Sequence, residues 1–251
     1  MRPSGRMASG RSGPEASQFA SIVLFALPRE AVPLRKTIEA GRHGSGVSIA
    51  VSGIGAANSR LAAERLLRGA GTQPVQLVIA GFAGALTPAI APGDVMVATR
   101  VMCVTGGPEL LPDNRLMEAA SWAPTQQAAH RGALISAPVV LTSKDEKQRL
   151  HASSDADAVD MESYAAACAA VDGGVPWLCV RAITDRCDEN LPIDFNRLGP
   201  AASSPSAVGR FAAVRPRSWP GLVLLGRNSS RAARSLAVAI HALLIHLQAA
   251  E

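Results

Sequence analysis

Aromatic side chains are scarce in this chain, at 4% of 251 residues, and the scarcity argues against a platform for stacking nucleic-acid bases. The four cysteines (Cys103, Cys168, Cys179, Cys187) form no C-x-x-C pair and no dense pattern. Neither a structural metal nor a disulfide scaffold is expected, and a reducing, cytoplasmic compartment fits best. No unbroken apolar run approaches the roughly 20 residues of a membrane span. The longest stretch without acidic residues lies near the C-terminus. None lies between Asp194 and Glu251, where seven arginines fall: Arg197, Arg210, Arg215, Arg217, Arg227, Arg231 and Arg234. The formal charge of +5 is thus concentrated in the C-terminal quarter, and the rest of the chain is near neutral.

What is present is a large apolar fraction, 48%, with mean hydropathy +0.16. A substantial core is available, and disorder of the whole chain is excluded. Residues 1–19, rich in Arg, Gly, Ser and Ala, read as a disordered extension. The apolar run that follows ends at Pro28-Arg29-Glu30, too early for a signal peptide. The length suits one large domain or two small ones, and a single domain over 20–251 with a basic insert at about 195–227 is the expectation.

Short apolar runs alternate with helical patterns along the chain. Strands are expected at Ile22–Ala26, Val47–Val51, Leu77–Ala80, Val95–Val101, Pro138–Leu141 and Val175–Ile183, with another ending at Asp160. Helices are expected at Glu30–Ala40, Asn58–Arg68, Asn114–Ser121, Lys144–His151, Tyr164–Val171 and Asn228–Gln248. Strand, glycine turn and helix recurring in order indicate an α/β domain: three αβα layers around a twisted, mostly parallel central sheet.

Four strand ends deliver glycine or a carboxylate: Leu27–Glu30, Gly81–Gly84, Asp160–Glu162 and Thr184-Asp185. Ligands in open α/β sheets bind beyond such ends. Each feature has a plain structural reading as well. Asp160 and Glu162 suit a helix start, Glu30 a helix first turn, Asp185 a loop or cap, and Gly-x-x-Gly a tight turn. Their joint occurrence carries more weight than any one.

The ordered set Ala26-Leu27-Pro28-Arg29-Glu30-Ala31-Val32, Ser52-Gly53-Ile54-Gly55, Gly81-Phe82-Ala83-Gly84-Ala85-Leu86, Pro92-Gly93-Asp94, Val159-Asp160-Met161-Glu162 and Arg181-Ala182-Ile183-Thr184-Asp185 resembles the nucleoside phosphorylase-I superfamily. It is most similar to the 5′-methylthioadenosine/S-adenosylhomocysteine nucleosidases. The resemblance implies cleavage of a purine N-glycosidic bond without metal or cofactor. Asp185 would be the general acid at the purine, and Glu30 would position or deprotonate the attacking water. Glu162 would hold the ribose hydroxyls and Met161 would pack on the sugar. Phe82, Ala83, Gly84 and Thr184 would line the pocket, while Arg181 would support the loop carrying Asp185. Asp160 reads as structural. A homodimer or higher homo-oligomer is the family expectation.

Where the phosphorylases of this superfamily carry phosphate-binding arginines, this chain has Glu30 and Ile79-Ala80, which favours water as nucleophile. Phe82 and the long basic insert depart from the nucleosidase pattern. They resemble the hopanoid-associated phosphorylase branch, which would cleave an adenosyl-lipid with phosphate. Two readings of the insert stay open: a solvated segment packed on a partner subunit, or a contact with an anionic membrane surface. A non-catalytic nucleoside-binding protein is the alternative of another class. Nucleic-acid binding is not expected, because the arginines form no recognisable module.

Overall fold

The computed structural model describes residues 19–41, 46–122, 129–198, 206, 209–210, 213 and 216–249. Residues 1–18 of the extension read at 1–19, and Phe211 and Arg215 of the insert, lie outside the described residues.

Seven strands form one sheet: β1 (Ala20–Phe25), β2 (Val47–Val51), β3 (Val75–Ala85), β4 (Val95–Cys103), β5 (Ala129–Ser136), β6 (Ala158–Asp160) and β7 (Trp177–Asp185). The central strands are apolar on both faces, as a sheet covered on both sides requires. Leu77 and Ile79 of β3, with Trp177, Cys179 and Ile183 of β7, pack under α2 (Ala56–Gly69) and α5 (Ser163–Asp172). Val78 and Ala80, with Leu178, Val180 and Ala182, face α1 (Pro28–Gly41), α3 (Asn114–Trp122) and the last helix, α6 (Trp219–Ala249). Helix α5 buries Ala166, Ala167, Ala169 and Ala170, and these small side chains let its backbone approach the sheet closely. Helix α4 (Lys144–Ser154) adds Leu150 to a third, smaller cluster with Leu86, Ile135 and Val159.

The sheet, expected to be mostly parallel, is mixed. Pairs β1–β2, β1–β3, β3–β7, β4–β5 and β5–β6 are parallel, and β3–β6 and β4–β7 are antiparallel. It also closes on itself, because β3 pairs with β7 as well as β6, giving a barrel-like ring β3-β6-β5-β4-β7. Strand β3 makes this possible by its length. One edge follows β7; the other is taken by β1 along Val75–Ile79 and by β6 at Gly84 and Ala85. Beyond Phe25, where β1 stops, a cleft opens between the end of β1 and the incoming β6.

Several expectations shift. Gly81–Gly84 is not a turn but the second half of β3. The strand expected at Pro138–Leu141 lies earlier, at Ala129–Ser136, and 138–141 is irregular. Helix α6 starts at Trp219, absorbing Gly221–Leu225 from the stretch read as insert. By length and composition α6 could cross a membrane, with half of that window buried in the fold. Scattered arginines and glycines hide this from a search for an unbroken apolar run.

Candidate active site

One cavity of about 490 Å³ occupies the cleft. Its polar end is built from the ends of β1, β3, β6 and β7. Glu30 sits in the first turn of α1, 2% exposed. Its Oε2 accepts from the amides of Ala26 (3.1 Å) and Leu27 (2.8 Å), and its Oε1 accepts from Phe82 N across the cleft (3.0 Å). The carboxylate therefore caps its own helix and also ties β1 to β3. Burial pushes its pKa above the ordinary value, against the opposing pull of the Leu27 and Phe82 amides and of Arg181 and Arg29.

The strand Ala158–Asp160 delivers two carboxylates to different places. Asp160 is the residue that serves the start of α5: Oδ2 accepts from Ser163 N (2.9 Å) and pairs with Arg181 Nη2 (2.7 Å). Its Oδ1 accepts from Ser136 Oγ (2.5 Å). Glu162, at the N-cap position, makes no capping bond to its own helix. It reaches across instead to accept from Gly55 N (2.7 Å), at the start of α2, where Gly55 has φ 97°. That conformation suits glycine and turns the amide toward Glu162. Burial first, then repulsion from Asp160, raises the Glu162 pKa to about 7.

Asp185 reaches the cavity through a bulge. Ala83 pairs with Ile183, but Gly84 pairs with Asp185, leaving Thr184 as the extra residue. The Thr184 hydroxyl lies 2.7 Å from Asp185 Oδ1 and 3.3 Å from Ala83 O. Asp185 Oδ2 accepts from Lys147 Nζ at 2.6 Å.

The two glycines of β3 make room for these groups. A Cβ on Gly81 would collide with the Arg181 guanidinium and lie 3.3 Å from both Glu30 oxygens. A Cβ on Gly84 would stand 3.0 Å from Asp185 Oδ2. Neither has the positive φ of a turn glycine. Close packing against carboxylates, not backbone freedom, is what requires them.

Glu30, Phe82, Ala83, Gly84, Met161, Glu162, Thr184 and Asp185 all line this cavity. Arg181 does not. It is 1% exposed behind the wall, bonded to Asp160 and Ser163 Oγ rather than to the loop carrying Asp185. Burial disfavours its charge, but Asp160, Cys179, Glu162 and Glu30 hold it firmly protonated. Sequence reasoning missed Lys147, whose neighbours on α4 are charged and suggest a solvated face. One signal was there. Ser143 and Glu146 form a capping box, and the residue after it occupies the position that usually packs inward.

The opposite wall is apolar: Val139, Val140 and Leu141, Leu191, Phe195, and Leu222 and Leu225 of α6. At the mouth the Arg29 guanidinium lies 5.6 Å from the Phe82 ring centroid.

The Phosphorylase superfamily profile matches residues 7–199. The chain belongs to that superfamily. A curated 5′-methylthioadenosine/S-adenosylhomocysteine nucleosidase of Mycobacterium tuberculosis is 28% identical over 206 residues, 64% of this chain and 78% of its own. The fold is shared with the futalosine hydrolase of Helicobacter pylori (TM-score 0.70, 17% identity, 91% of this chain and 98% of that one). It is shared equally with the Neisseria meningitidis 5′-methylthioadenosine/S-adenosylhomocysteine nucleosidase in complex with methylthio-immucillin-A (TM-score 0.69, 21% identity, 90% and 98%). As a superfamily member, the chain has a nucleoside phosphorylase-like α/β fold, here with its sheet mixed and closed.

Proposed function

We propose that this protein hydrolyses the N-glycosidic bond of an adenine-type nucleoside, as one catalytic unit spanning 20–251. The observation that carries the reading is the convergence of Glu30, Glu162 and Asp185, from three separate strand ends, on one cavity. The reaction must protonate a poor leaving group and stabilise a cationic sugar. Asp185 is the general acid at the base, and Glu30, held by three amides, positions the water. Glu162 accepts from the ribose diol with the oxygen not bonded to Gly55. Met161 and the Phe82–Gly84 backbone pack on sugar and base. The mycobacterial relative's name supports the same chemistry.

Water is favoured over phosphate by the cations available. Of the two that line the cavity among the described residues, Lys147 is committed to Asp185, and Arg29 lies beside the Glu30 carboxylate and over Phe82. A second reading, phosphorolysis of a lipid-linked adenosine, is favoured by one observation. The apolar wall is continuous with α6, whose other side exposes Trp219 (53%), Val223 and Leu224 near the exposed Arg217 and Arg227. Such a surface suits peripheral contact with an anionic membrane. A homodimer and a cytoplasmic location complete the proposal.

The test is adenine release from methylthioadenosine, S-adenosylhomocysteine and a long-chain 5′-alkyl adenosine, each with and without phosphate. Phosphate-independent release supports hydrolysis. Strict phosphate dependence with preference for the long-chain substrate replaces it with the second reading. No release from any of them leaves a non-catalytic binding protein.

A further inference from the structure

Lys147 is the feature that the roles above leave unexplained. It stands in the first turns of α4, 1% exposed, with a capping box fixing the helix start at Ser143, four residues before it. Burying an ammonium is costly unless every donor is satisfied. Here all three are: Nζ donates to Asp185 Oδ2 (2.6 Å), to Arg186 O (2.6 Å) and to Glu189 O (3.2 Å). One side chain thus binds the carboxylate proposed as the acid and the loop that follows it.

The oxygens of Asp185 are thereby made unequal. Oδ2 faces Lys147. Oδ1 faces the Thr184 hydroxyl, which has two acceptors within reach, Asp185 Oδ1 and Ala83 O, for its single proton. When Oδ1 is bare, the hydroxyl can donate to it; when Oδ1 carries a proton, the hydroxyl can donate to Ala83 O instead. Oδ1 is therefore the oxygen through which a proton can pass without breaking the Lys147 contact.

We propose that Lys147 is a positioning residue for the glycosidic reaction. It confines the transferable proton to Asp185 Oδ1 and supplies the counter-charge for the carboxylate formed when that proton leaves. This rests on the hydrolytic reading above. In the step, the C1′–N pair passes to the purine, the Oδ1–H bond breaks, and an N–H bond forms on the base. The O–H electron pair stays on the Asp185 carboxylate beside the Lys147 ammonium, so a charge develops where a fixed cation already waits. The other charged groups facing the pair are Asp188, exposed and engaged with Arg186, and Glu30 and Glu162 across the cavity. On α4 itself, Glu146 is turned to the amides of Thr142 and Ser143.

Full-length protein is assayed as wild type, Lys147→Met and Lys147→Arg for adenine release and for cleavage of p-nitrophenyl riboside, whose leaving group departs without a proton. Lys147→Met should lower kcat for the nucleoside at least about tenfold with KM little changed, and lower cleavage of the p-nitrophenyl riboside far less. Lys147→Arg keeps the cation and should restore kcat toward wild type. A merely structural lysine would lower cleavage of both substrates alike, and that result overturns the proposal. So does a Lys147→Met protein with wild-type kcat. If Lys147→Met does not fold, equal losses on the two substrates in Lys147→Arg overturn it, and a loss confined to the nucleoside, or no loss, supports it. Failure of the wild type to release adenine from any nucleoside marks failure of the hydrolytic reading itself, and the proposal falls with it.

Discussion

The two ends of the cavity are built by different rules. At the polar end every carboxylate comes from a strand end and is fixed by named bonds: Glu30 by three amides, Glu162 by Gly55, Asp185 by Thr184 and Lys147. At the apolar end the wall comes from the irregular 139–141 segment, Leu191 and Phe195, and one side of α6, whose other side meets solvent. A site fixed at one end and held by nondirectional contacts at the other separates two tasks. Bond cleavage needs sub-ångström placement, whereas a 5′-substituent needs only apolar area of the right shape.

That division can be broken experimentally. The largest effect is expected at the polar end: Asp185→Asn should cut adenine release by about 10²- to 10⁴-fold, the usual worth of a general acid, with substrate affinity retained by calorimetry. Equal loss from a change in the apolar wall would break the comparison. Next is Asp160→Ala, which strands the buried Arg181 cation. Its expected cost is about 3–5 kcal/mol of folding stability, measured by urea titration.

A third test uses pH. With Glu162 raised from 4.5 to about 7, the folded state holds a proton that the unfolded state has released across that window. Stability should therefore fall as pH rises from 4.5 to 7, by about 3 kcal/mol for this group. Below 4.5 both states are protonated and the slope vanishes. Glu162→Gln should flatten the window, and an unchanged slope would assign it elsewhere. Smallest is Leu225→Ala in α6. It should weaken binding of a 5′-alkylthio substrate by about 1–2 kcal/mol, leaving kcat and binding of plain adenosine nearly unchanged.

Much of the polar end was legible because it follows from local signals. Buried apolar runs gave the order of strands, and the residues just past Phe25, Val159 and Ile183 carried the carboxylates. The closure of the sheet was not legible, since β6 is only three residues long and its partners lie 24 and some 75 positions away. Strand β5 was hidden by His130, Arg131 and Gly132, which interrupt its apolar pattern. Gly81 and Gly84 read as a turn because the carboxylates that require them arrive from elsewhere in the chain. The apolar wall was the least readable part: its members are scattered over 139–225, and only the fold gathers them.

The bulge at Thr184 makes the site a matter of parity. Side chains along a strand alternate, so counting residues is the same as choosing sides. The extra residue sets Asp185, not Thr184, opposite the space left by Gly84. Adding one residue between Ile183 and Thr184 would leave the composition of the segment almost unchanged and, with a single bulge, set Thr184 opposite Gly84. In this stretch of chain, length itself is chemical information.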